Sequence, residues 1–332
     1  MAGNRSGVRR ARWRAPKFGL AAAIAVAVAG WGCGGANAGA HANSPAGLTA
    51  EQIDADPLAL LPASAIVVAS VDARAFYTSG SVGAQFSALS EQMVPLGDEA
   101  GFKASRDVDR VILGAYSTEG VDVAAVVVGR FDEEKIKDAA ESHAQTRSGG
   151  AIVQSQYAGR SVYTVANVGF SILTPKTALA GTETGIRRAL DRIHDGQTTR
   201  DQPAWVLQAI GTPNAAAVLT ADFTQPIASA ALGSVSIPWA NGMKVVRVVA
   251  DFKPPGMHVA GTLTYADAPS AAAGASGIQQ LGTLANLVAL TGLAPRLQDL
   301  AVSTADANVQ CAFSLDDSSM RGLLALVPRL AH

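Results

Sequence analysis

Three aspartates flank the first of two apolar strand pairs and could form a carboxylate pair for acid–base chemistry. They are Asp107, Asp109 and Asp122, and Arg106 and Arg110 lie close to them in the sequence. General acid–base catalysis needs carboxyl groups held in a fixed geometry with different pKa values. A charged strand entrance with exposed ion pairs explains the same residues, and such pairs contribute little stability. We therefore expect a structural role for these aspartates.

The five histidines lie far apart in the sequence: His41, His143, His194, His258 and His332. His143 and His194 each fall near the C-terminal end of a helical pattern, where the helix dipole favours a positive charge. His258 lies on the polar side of an alternating strand, and the other two lie in terminal segments. Histidine titrates near neutral pH, but these positions show no converging partners. We expect structural or solvated roles for all five.

No local motif for nucleotide, metal or acyl-transfer chemistry is present in the sequence. There is no Gly-x-Ser-x-Gly elbow, no phosphate loop, no dinucleotide-binding glycine pattern after a strand and no His-Glu-x-x-His. The nearest match, at residues 80–83, is one residue too short for the nucleophile elbow. We therefore predict no catalytic residue, no cofactor and no metal site.

The chain has two cysteines, Cys33 and Cys311, for which we expect different roles. Cys33 follows the apolar part of the N-terminal segment and is a candidate for lipidation. Cys311 alternates with Val309, Phe313 and Leu315 on one side of a predicted strand, which favours a small buried residue over a nucleophile. With Cys33 lipidated or removed, no intramolecular disulfide is possible.

The N-terminal residues 1–42 are typical of a secretory signal peptide. A basic segment without acidic residues is followed by an apolar stretch at 18–29 that is rich in Ala and Val. About a dozen residues are too few to cross a hydrocarbon core about 30 Å thick, which needs about 20 helical residues. The sequence therefore predicts export.

The fate of this segment depends on where it is cleaved. Cys33 ends the string Gly-Trp-Gly-Cys, which is similar to a bacterial lipoprotein box. Two Ala-x-Ala signals at 38–40 and 40–42 are typical of signal-peptidase sites. Three outcomes stay open: a lipid anchor on Cys33, release after cleavage near Ala42, or an uncleaved anchor.

Composition argues against a nucleic-acid partner. The formal net charge is −1, and charged residues make up 16% of the 332 residues, which is below the roughly 25% of an average globular chain. A chain of this balance has no general attraction for a phosphate backbone. The expected partners are an unidentified protein or small molecule, and a membrane if the N-terminal lipid is added.

Two apolar strand pairs organise the rest of the chain. They are 109–117 with 121–131 and 244–252 with 257–266, and each pair ends at an aspartate that opens a helical pattern. The second pair alternates cleanly between apolar and polar residues, which predicts a sheet packed on one side and exposed to water on the other. Because the order of elements is similar around both pairs, we predict a repeated unit.

The predicted fold class is α+β, with two similar units. Each unit is expected to be an antiparallel sheet of hairpins with helices packed on one face. The predicted organisation, in chain order, is a signal peptide at 1–42, a flexible tether at 43–57, a first unit at 58–196, a linker with a short helix at 197–213 and a second unit at 214–332.

Four aspartates recur where a predicted strand is followed by a helix: Asp72, Asp132, Asp222 and Asp267. An aspartate at this position accepts a hydrogen bond from a backbone N–H of the first helical turn and stabilises the helix by about 1 kcal/mol. We expect all four to be helix N-caps.

Three strings of the first unit resemble a family of exported proteins. They are Leu-Pro-Ala-Ser-Ala-Ile-Val-Val-Ala-Ser-Val-Asp at 61–72, Arg-Asp-Val-Asp-Arg-Val at 106–111 and Gly-Arg-Phe-Asp at 129–132. They look like segments of uncharacterised exported proteins and lipoproteins of Gram-negative bacteria of the myxobacterial type. The resemblance implies an envelope protein and carries over no catalytic residue.

Together these observations predict a non-enzymatic cell-envelope protein that serves as a binding or scaffold module. The cleft between the two units is the expected place for a ligand, since pockets commonly form at such junctions. Two alternatives stay open: a hydrolase-type enzyme whose residues converge between the two units without a local motif, and a structural component of an assembly.

Overall fold

The structure, a computed structural model, describes residues 47–94, 96–117, 122–142, 146, 150–165, 168–225, 228, 238–253, 256–289 and 295–330. Within these residues, twelve strands form one antiparallel sheet. The predicted signal peptide with Cys33 lies outside the described residues, and so do His41, His143 and His332.

The strands and helices alternate along the chain in short runs. The strands are β1 (Val67–Asp72), β2 (Val108–Ala115), β3 (Val123–Gly129), β4 (Val153–Tyr157), β5 (Arg160–Val165), β6 (Val168–Ile172), β7 (Thr177–Gly181), β8 (Ala217–Asp222), β9 (Met243–Lys253), β10 (Gly256–Tyr265), β11 (Gln298–Ala305) and β12 (Asn308–Asp316). The helices are α1 (Ala50–Ala55), α2 (Ala73–Tyr77), α3 (Gly83–Met93), α4 (Ala104–Asp107), α5 (Glu133–Glu141), α6 (Glu183–His194), α7 (Ala204–Ile210), α8 (Ala268–Ala289) and α9 (Asp317–Leu330). None of the described helices has both the length and the apolar character needed to cross a membrane.

The sheet is continuous through both halves of the chain, in the order β11-β12-β10-β9-β8-β1-β2-β3-β7-β6-β5-β4. The first half (β1–β7) and the second half (β8–β12) meet where β1 pairs with β8. Outward from this junction, the first half runs β1, β2, β3 and then β7, and the second half runs β8, β9, β10 and then β12. In each half, three strands in chain order are followed by a strand of a later hairpin. The strand order is thus similar in the two halves, and a true sequence repeat stays a prediction.

The sheet has two faces, which we name after helices that cover them. The α6 face carries Val68, Val126 and Val218, which pack with α1, α6 and α7. The α8 face carries Val127, which packs with α5, and Val246, which packs with α8. Neighbouring residues of a strand point to opposite faces, so each strand contributes to both.

In the first half, helices cover both faces, so the expectation of helices on one face is wrong there. Helix α6 packs Ile186 and Leu190 on the α6 face, and α5 packs Ile136 on the α8 face. The reason is the composition of β3 and β7, which read Val-Ala-Ala-Val-Val-Val-Gly and Thr-Ala-Leu-Ala-Gly. Strands that are apolar on both sides need cover on both sides.

In the second half, the described helices α8 and α9 cover the α8 face, and α7 covers the α6 face at β8 and part of β9. Helix α8 packs Ala271 with Leu263 and Val309, and α9 packs Met320 with Leu315. Beyond α7, no described helix packs on the α6 face of β10–β12, and the sheet of these strands is one-sided within the described residues.

Residues 47–57 do not form the predicted flexible tether. Thr49 and Gln52 form a reciprocal capping box at the start of α1, with the Gln52 N–H 3.3 Å from Thr49 Oγ1 and the Thr49 N–H 2.9 Å from Gln52 Oε1. Ile53 of the same helix is fully buried in the core of the α6 face. The cap and the burial together order this segment.

Strand β7 is not apparent from the sequence. It lies between β3 and β6, where Leu179 pairs with Val126 and with Ser171. Apart from Thr177 and Leu179 it consists of alanine and glycine, which have low strand propensity. Burial between two strands, and not intrinsic preference, accounts for its conformation.

Three of the four predicted aspartate caps are confirmed. Asp72, Asp132 and Asp267 accept a hydrogen bond from the backbone N–H three residues ahead, at 2.9, 3.2 and 2.7 Å. Asp222 instead accepts hydrogen bonds from the N–H and the hydroxyl of Thr224, at 2.9 and 2.5 Å. This closes a turn after β8, and most of residues 226–237 lie outside the described part of the chain.

Candidate ligand-binding trough

A trough of about 610 Å³ lies on the open part of the α6 face, in the second half of the chain. Its floor is formed by β9, β10, β12 and β11. One wall is formed by α7, through Gln208 and Ala209, and by Thr212 just after the helix. Helix α7 is held there because Val206 and Ile210 pack into the core of the α6 face. The trough exists because the helix cover ends at α7 while the sheet continues.

A row of polar side chains, which we call the polar row, crosses the floor. Arg247 pairs in register with Thr262, Thr262 with Gln310, and Gln310 with Ser303. Four neighbouring strands therefore place these side chains next to one another on the same face. Neighbouring strands lie about 4.8 Å apart, so the row extends across roughly 14 Å.

A second row, which we call the alanine row, runs beside the polar row. It consists of Val249, Ala260, Ala312 and Ala301, again paired in register. The three alanines are exposed. Because their side chains are short, no described side chain fills the space above the floor up to the α7 wall.

Arg247 is the charged side chain of the trough. Its guanidinium lies over the ring of Trp205, 5.2 Å from the ring centroid, in a cation–π contact. Within the described residues it has no ion pair and no side-chain hydrogen bond. The other strand arginines differ, since Arg110 donates to a serine hydroxyl at 3.0 Å and Arg160 to a backbone carbonyl at 3.1 Å.

A third row, Asp251, His258 and Ser314, has the residue types of a catalytic triad. His258 Nδ1 lies 3.2 Å from Ser314 Oγ, but the Asp251 carboxylate pairs with Lys253 Nζ at 2.7 Å. Among the described contacts, the Asp251 carboxylate makes none with His258, so the three side chains do not form the relay of a triad. The structural or solvated role expected for His258 stays a prediction.

The three aspartates of the first strand pair are not brought together. Asp107 contacts Arg106, Asp122 contacts Arg188, and Asp109 contacts Arg74 and, at 3.5 Å, Arg130. Burial acts to raise the pKa of Asp107, but hydrogen bonds from Arg106 and from the Lys103 N–H outweigh it and hold the pKa below its usual value. No described contact joins two of these carboxylates, as an acid–base couple requires.

Cys311 lies on the α8 side of the floor, where it packs with the apolar cluster that contains Val248 and Val302. It is half-buried, and burial raises the pKa of its thiol. A thiol of this kind is a poor nucleophile at neutral pH, as its predicted packing role requires. His194 lies in the last turn of α6. Among the described residues, no group of three or more His, Cys, Asp or Glu side chains is arranged to hold a metal ion.

The expected cleft between the two units is not found in the described part of the chain. Strands β1 and β8 pair directly from Val67–Ala221 to Val71–Ala217. Val68 of the first half and Val218 of the second belong to one apolar cluster. The junction is therefore filled by sheet and core, and the open space lies farther along the second half.

Sequence reasoning does not single out Arg247 or Trp205. Trp205 lies in the short helix between the halves, and Arg247 is one of several charged residues on the polar side of its strand. The signal that the sequence does carry is the alternation of β9, in which Arg247, Val249 and Asp251 share the exposed side. Their contact with α7 depends on tertiary packing, which no local pattern specifies.

The chain matches no family model and no curated protein. Solved structures of TP0453 are similar to it in fold. Crystal form III has a TM-score of 0.53 and 10% identity, and the match covers 82% of this chain and 98% of that chain. Crystal form IV has a TM-score of 0.52 and 9% identity, covering 81% and 96%. Crystal form I has a TM-score of 0.50 and 12% identity, covering 83% and 97%. At these identities the likeness concerns the fold alone.

Proposed function

We propose that the protein is a non-enzymatic binding protein of the bacterial cell envelope and that it holds its ligand in the trough. The observation that carries this proposal is the open α6 face of the second half, where a floor of exposed alanines lies beside a cation without a partner among the described residues. A concave surface with a few converging polar groups is the usual form of a small-molecule site.

Two findings support a role other than catalysis. The aspartates of the first strand pair are bound to arginines, and no described contact joins two of their carboxylates. In the row that contains His258 and Ser314, the Asp251 carboxylate pairs with Lys253 and makes no described contact with His258.

The envelope location is supported by the N-terminal sequence. Residues 1–42 have the basic, apolar and small-residue regions of a signal peptide. In the proposed location the protein is either attached to a membrane through a lipid on Cys33 or released after cleavage near Ala42.

NMR of the mature protein, labelled with ¹³C in its alanine methyl groups, tests the binding role. Ala260, Ala301 and Ala312 place exposed methyl groups on the trough floor and report directly on an occupant. We expect small aromatic probes, benzoate and benzamide among them, to shift these signals. The methyl signal of Ala273, exposed on α8, should not move.

Filling the trough provides the matched control. Ala312→Trp places a large ring on the floor and should abolish the shift at Ala260, whereas Ala273→Trp should leave it unchanged. Binding that survives Ala312→Trp, or a floor that responds to no probe, would refute the proposed site.

Mass spectrometry of the N-terminus of the expressed full chain tests the location. A diacylglyceryl group on Cys33 identifies the anchored form, and a start near Asn43 identifies the released form. Both results support export. An unprocessed N-terminus at Met1 identifies the uncleaved anchor if the protein is recovered in the membrane fraction, and it contradicts export if the protein is recovered in the cytoplasmic fraction.

A further inference from the structure

We infer that the trough binds a small organic anion whose carboxylate pairs with Arg247 and whose apolar body lies on the alanine row. The inference rests on the proposed function and goes further by naming the chemical class of the ligand.

The charge of the trough is the first argument. Among the described residues that line it, Arg247 is charged and none is Asp or Glu. The nearest acid on the same side of β9 is Asp251, which is bound to Lys253. A guanidinium that is half-removed from water and lacks a counter-ion attracts an anion, and it pairs best with a planar carboxylate.

Trp205 fixes the guanidinium for this purpose. The indole lies against Arg247 at 5.2 Å between the guanidinium carbon and the ring centroid. A cation–π contact holds the guanidinium without a hydrogen-bond acceptor, so its N–H groups are left to donate to a carboxylate. The contact therefore orients Arg247 without consuming its donors.

The rest of the polar row is also available to a ligand. In the neighbouring row, the Thr264 hydroxyl donates to Asn308 Oδ1 at 2.7 Å, so both side chains are occupied. In the polar row, the side chains of Thr262 and Gln310 have no hydrogen bond within the described part of the chain. Thr262 is the register partner of Arg247 and offers a hydroxyl beside the guanidinium.

The size and the apolar floor define the remainder of the ligand. A volume of about 610 Å³ falls within the range of about 300–1,000 Å³ that small-molecule sites occupy. Beside the polar row, the exposed methyl groups of Ala260 and Ala312 form a flat apolar surface. A ring or a short alkyl body attached to the carboxylate covers this surface and removes it from water.

The charge requirement is tested by titrating the mature protein with benzoate and with its uncharged isostere benzamide, using the floor methyl signals as readout. We expect benzoate to bind about tenfold or more tightly than benzamide, since its carboxylate alone pairs with the guanidinium. Arg247→Gln should weaken benzoate about tenfold and leave benzamide unchanged, and Arg247→Lys should fall between. Arg187→Gln, which removes an arginine stacked on Tyr157 in the first half, should change neither affinity.

The outcomes separate this inference from the proposed function. Equal binding of benzoate and benzamide, or benzoate affinity that is unchanged in Arg247→Gln, overturns the anion while the trough remains a binding site. Failure of both probes to shift any floor methyl refutes the proposed function together with the inference. If Arg247→Gln perturbs methyl signals remote from the trough, Thr262→Val takes its place, with an expected severalfold loss for benzoate.

Discussion

The guanidinium of Arg192 donates two hydrogen bonds to the carbonyl oxygen of Ala59, from Nε at 3.2 Å and from Nη2 at 3.1 Å. The same group pairs with the Asp201 carboxylate and donates to the Thr199 carbonyl at 2.7 Å. One side chain thus joins α6, the turn before β1 and the segment that leads to the second half. Arg192 is only 8% exposed, so these acceptors depend on it.

Removal of this group should be costly. We expect Arg192→Met to lower the free energy of unfolding by about 2–4 kcal/mol, because it leaves a carboxylate and several carbonyls without their donor. Arg187→Met, on the same helix with an exposed pair to Glu183, should cost less than about 1 kcal/mol. Urea unfolding followed by circular dichroism measures both, and equal effects would contradict the role given to Arg192.

Loss of the hydroxyl group should have opposite effects on stability at two buried tyrosines, Tyr163 and Tyr265. Tyr163 is fully buried, and its hydroxyl makes no hydrogen bond of normal geometry among the described residues, with the Ser161 side chain as the polar group beside it. The Tyr265 hydroxyl donates to the Trp239 carbonyl at 2.7 Å. We expect Tyr163→Phe to be neutral or to stabilise by up to about 1 kcal/mol, and Tyr265→Phe to destabilise by about 1–2 kcal/mol. Thermal unfolding ranks the two variants, and a larger loss in Tyr163→Phe would show that its hydroxyl has a partner.

Two helical glycines form a second matched pair. A Cβ at Gly185 of α6 would lie 2.1 Å from the Val123 carbonyl oxygen, so the helix would have to move away from β3. At Gly322 of α9 nothing lies within 4 Å of a built Cβ. We expect Gly185→Ala to destabilise by about 1–3 kcal/mol and Gly322→Ala to stabilise by about 0.5–1 kcal/mol. The urea midpoints of the two variants test this prediction. A Gly185→Ala variant that is as stable as the parent protein would mean that α6 does not need this close approach to β3.

Acid should weaken the helix caps. Hydrogen bonds from the side chain and the N–H of Ser270 lower the pKa of Asp267 below its usual value, and hydrogen bonds from Lys135 lower the pKa of Asp132 in the same way. A carboxyl group whose pKa is lower in the folded state than in the unfolded state adds to the free energy of unfolding. This stabilisation is complete above the pKa of the unfolded state and is lost as the pH falls through the pKa of the folded state.

The urea midpoint should therefore be steady from neutral pH down to about 5 and decline below about 4. Asp267→Asn keeps a capping oxygen but does not titrate, so its stability should decline less steeply over the same interval. Urea midpoints measured across this pH range give the change in stability with pH for both proteins. If the midpoint of Asp267→Asn falls as steeply with pH as that of the parent protein, Asp267 is not a titrating cap.

Features with a local cause could be predicted from the sequence. Asp132 and Asp267 cap helices because the interaction spans three residues, and the alternation of β9 and β10 anticipates the one-sided sheet of the second half. The α+β class follows from the same patterns. The capping box of Thr49 and Gln52 is also local, and it shows that a polar, small-residue stretch is not by itself evidence of a tether.

Features that depend on distant contacts could not be predicted in this way. The pairing of Val67 with Ala221 joins β1 and β8, and the sequence pattern predicts each of these strands as the first strand of its own unit. Strand β7 is extended because β3 and β6 enclose it, although its alanines favour no strand. The contact of Trp205 with Arg247 likewise exists only once α7 packs beside the sheet, so the trough is a product of tertiary structure.

The β1–β8 ladder sets an order of events for a chain that emerges N-terminus first during synthesis. Strand β1 has β2 as one partner, but its other partner is delivered only after the whole first half has emerged. Until then the Val67–Val71 edge is open and can pair wrongly with another chain. Such long-range pairing is also slow to form. Arrival of β8 is therefore the step that both completes the centre of the sheet and ends this vulnerable interval.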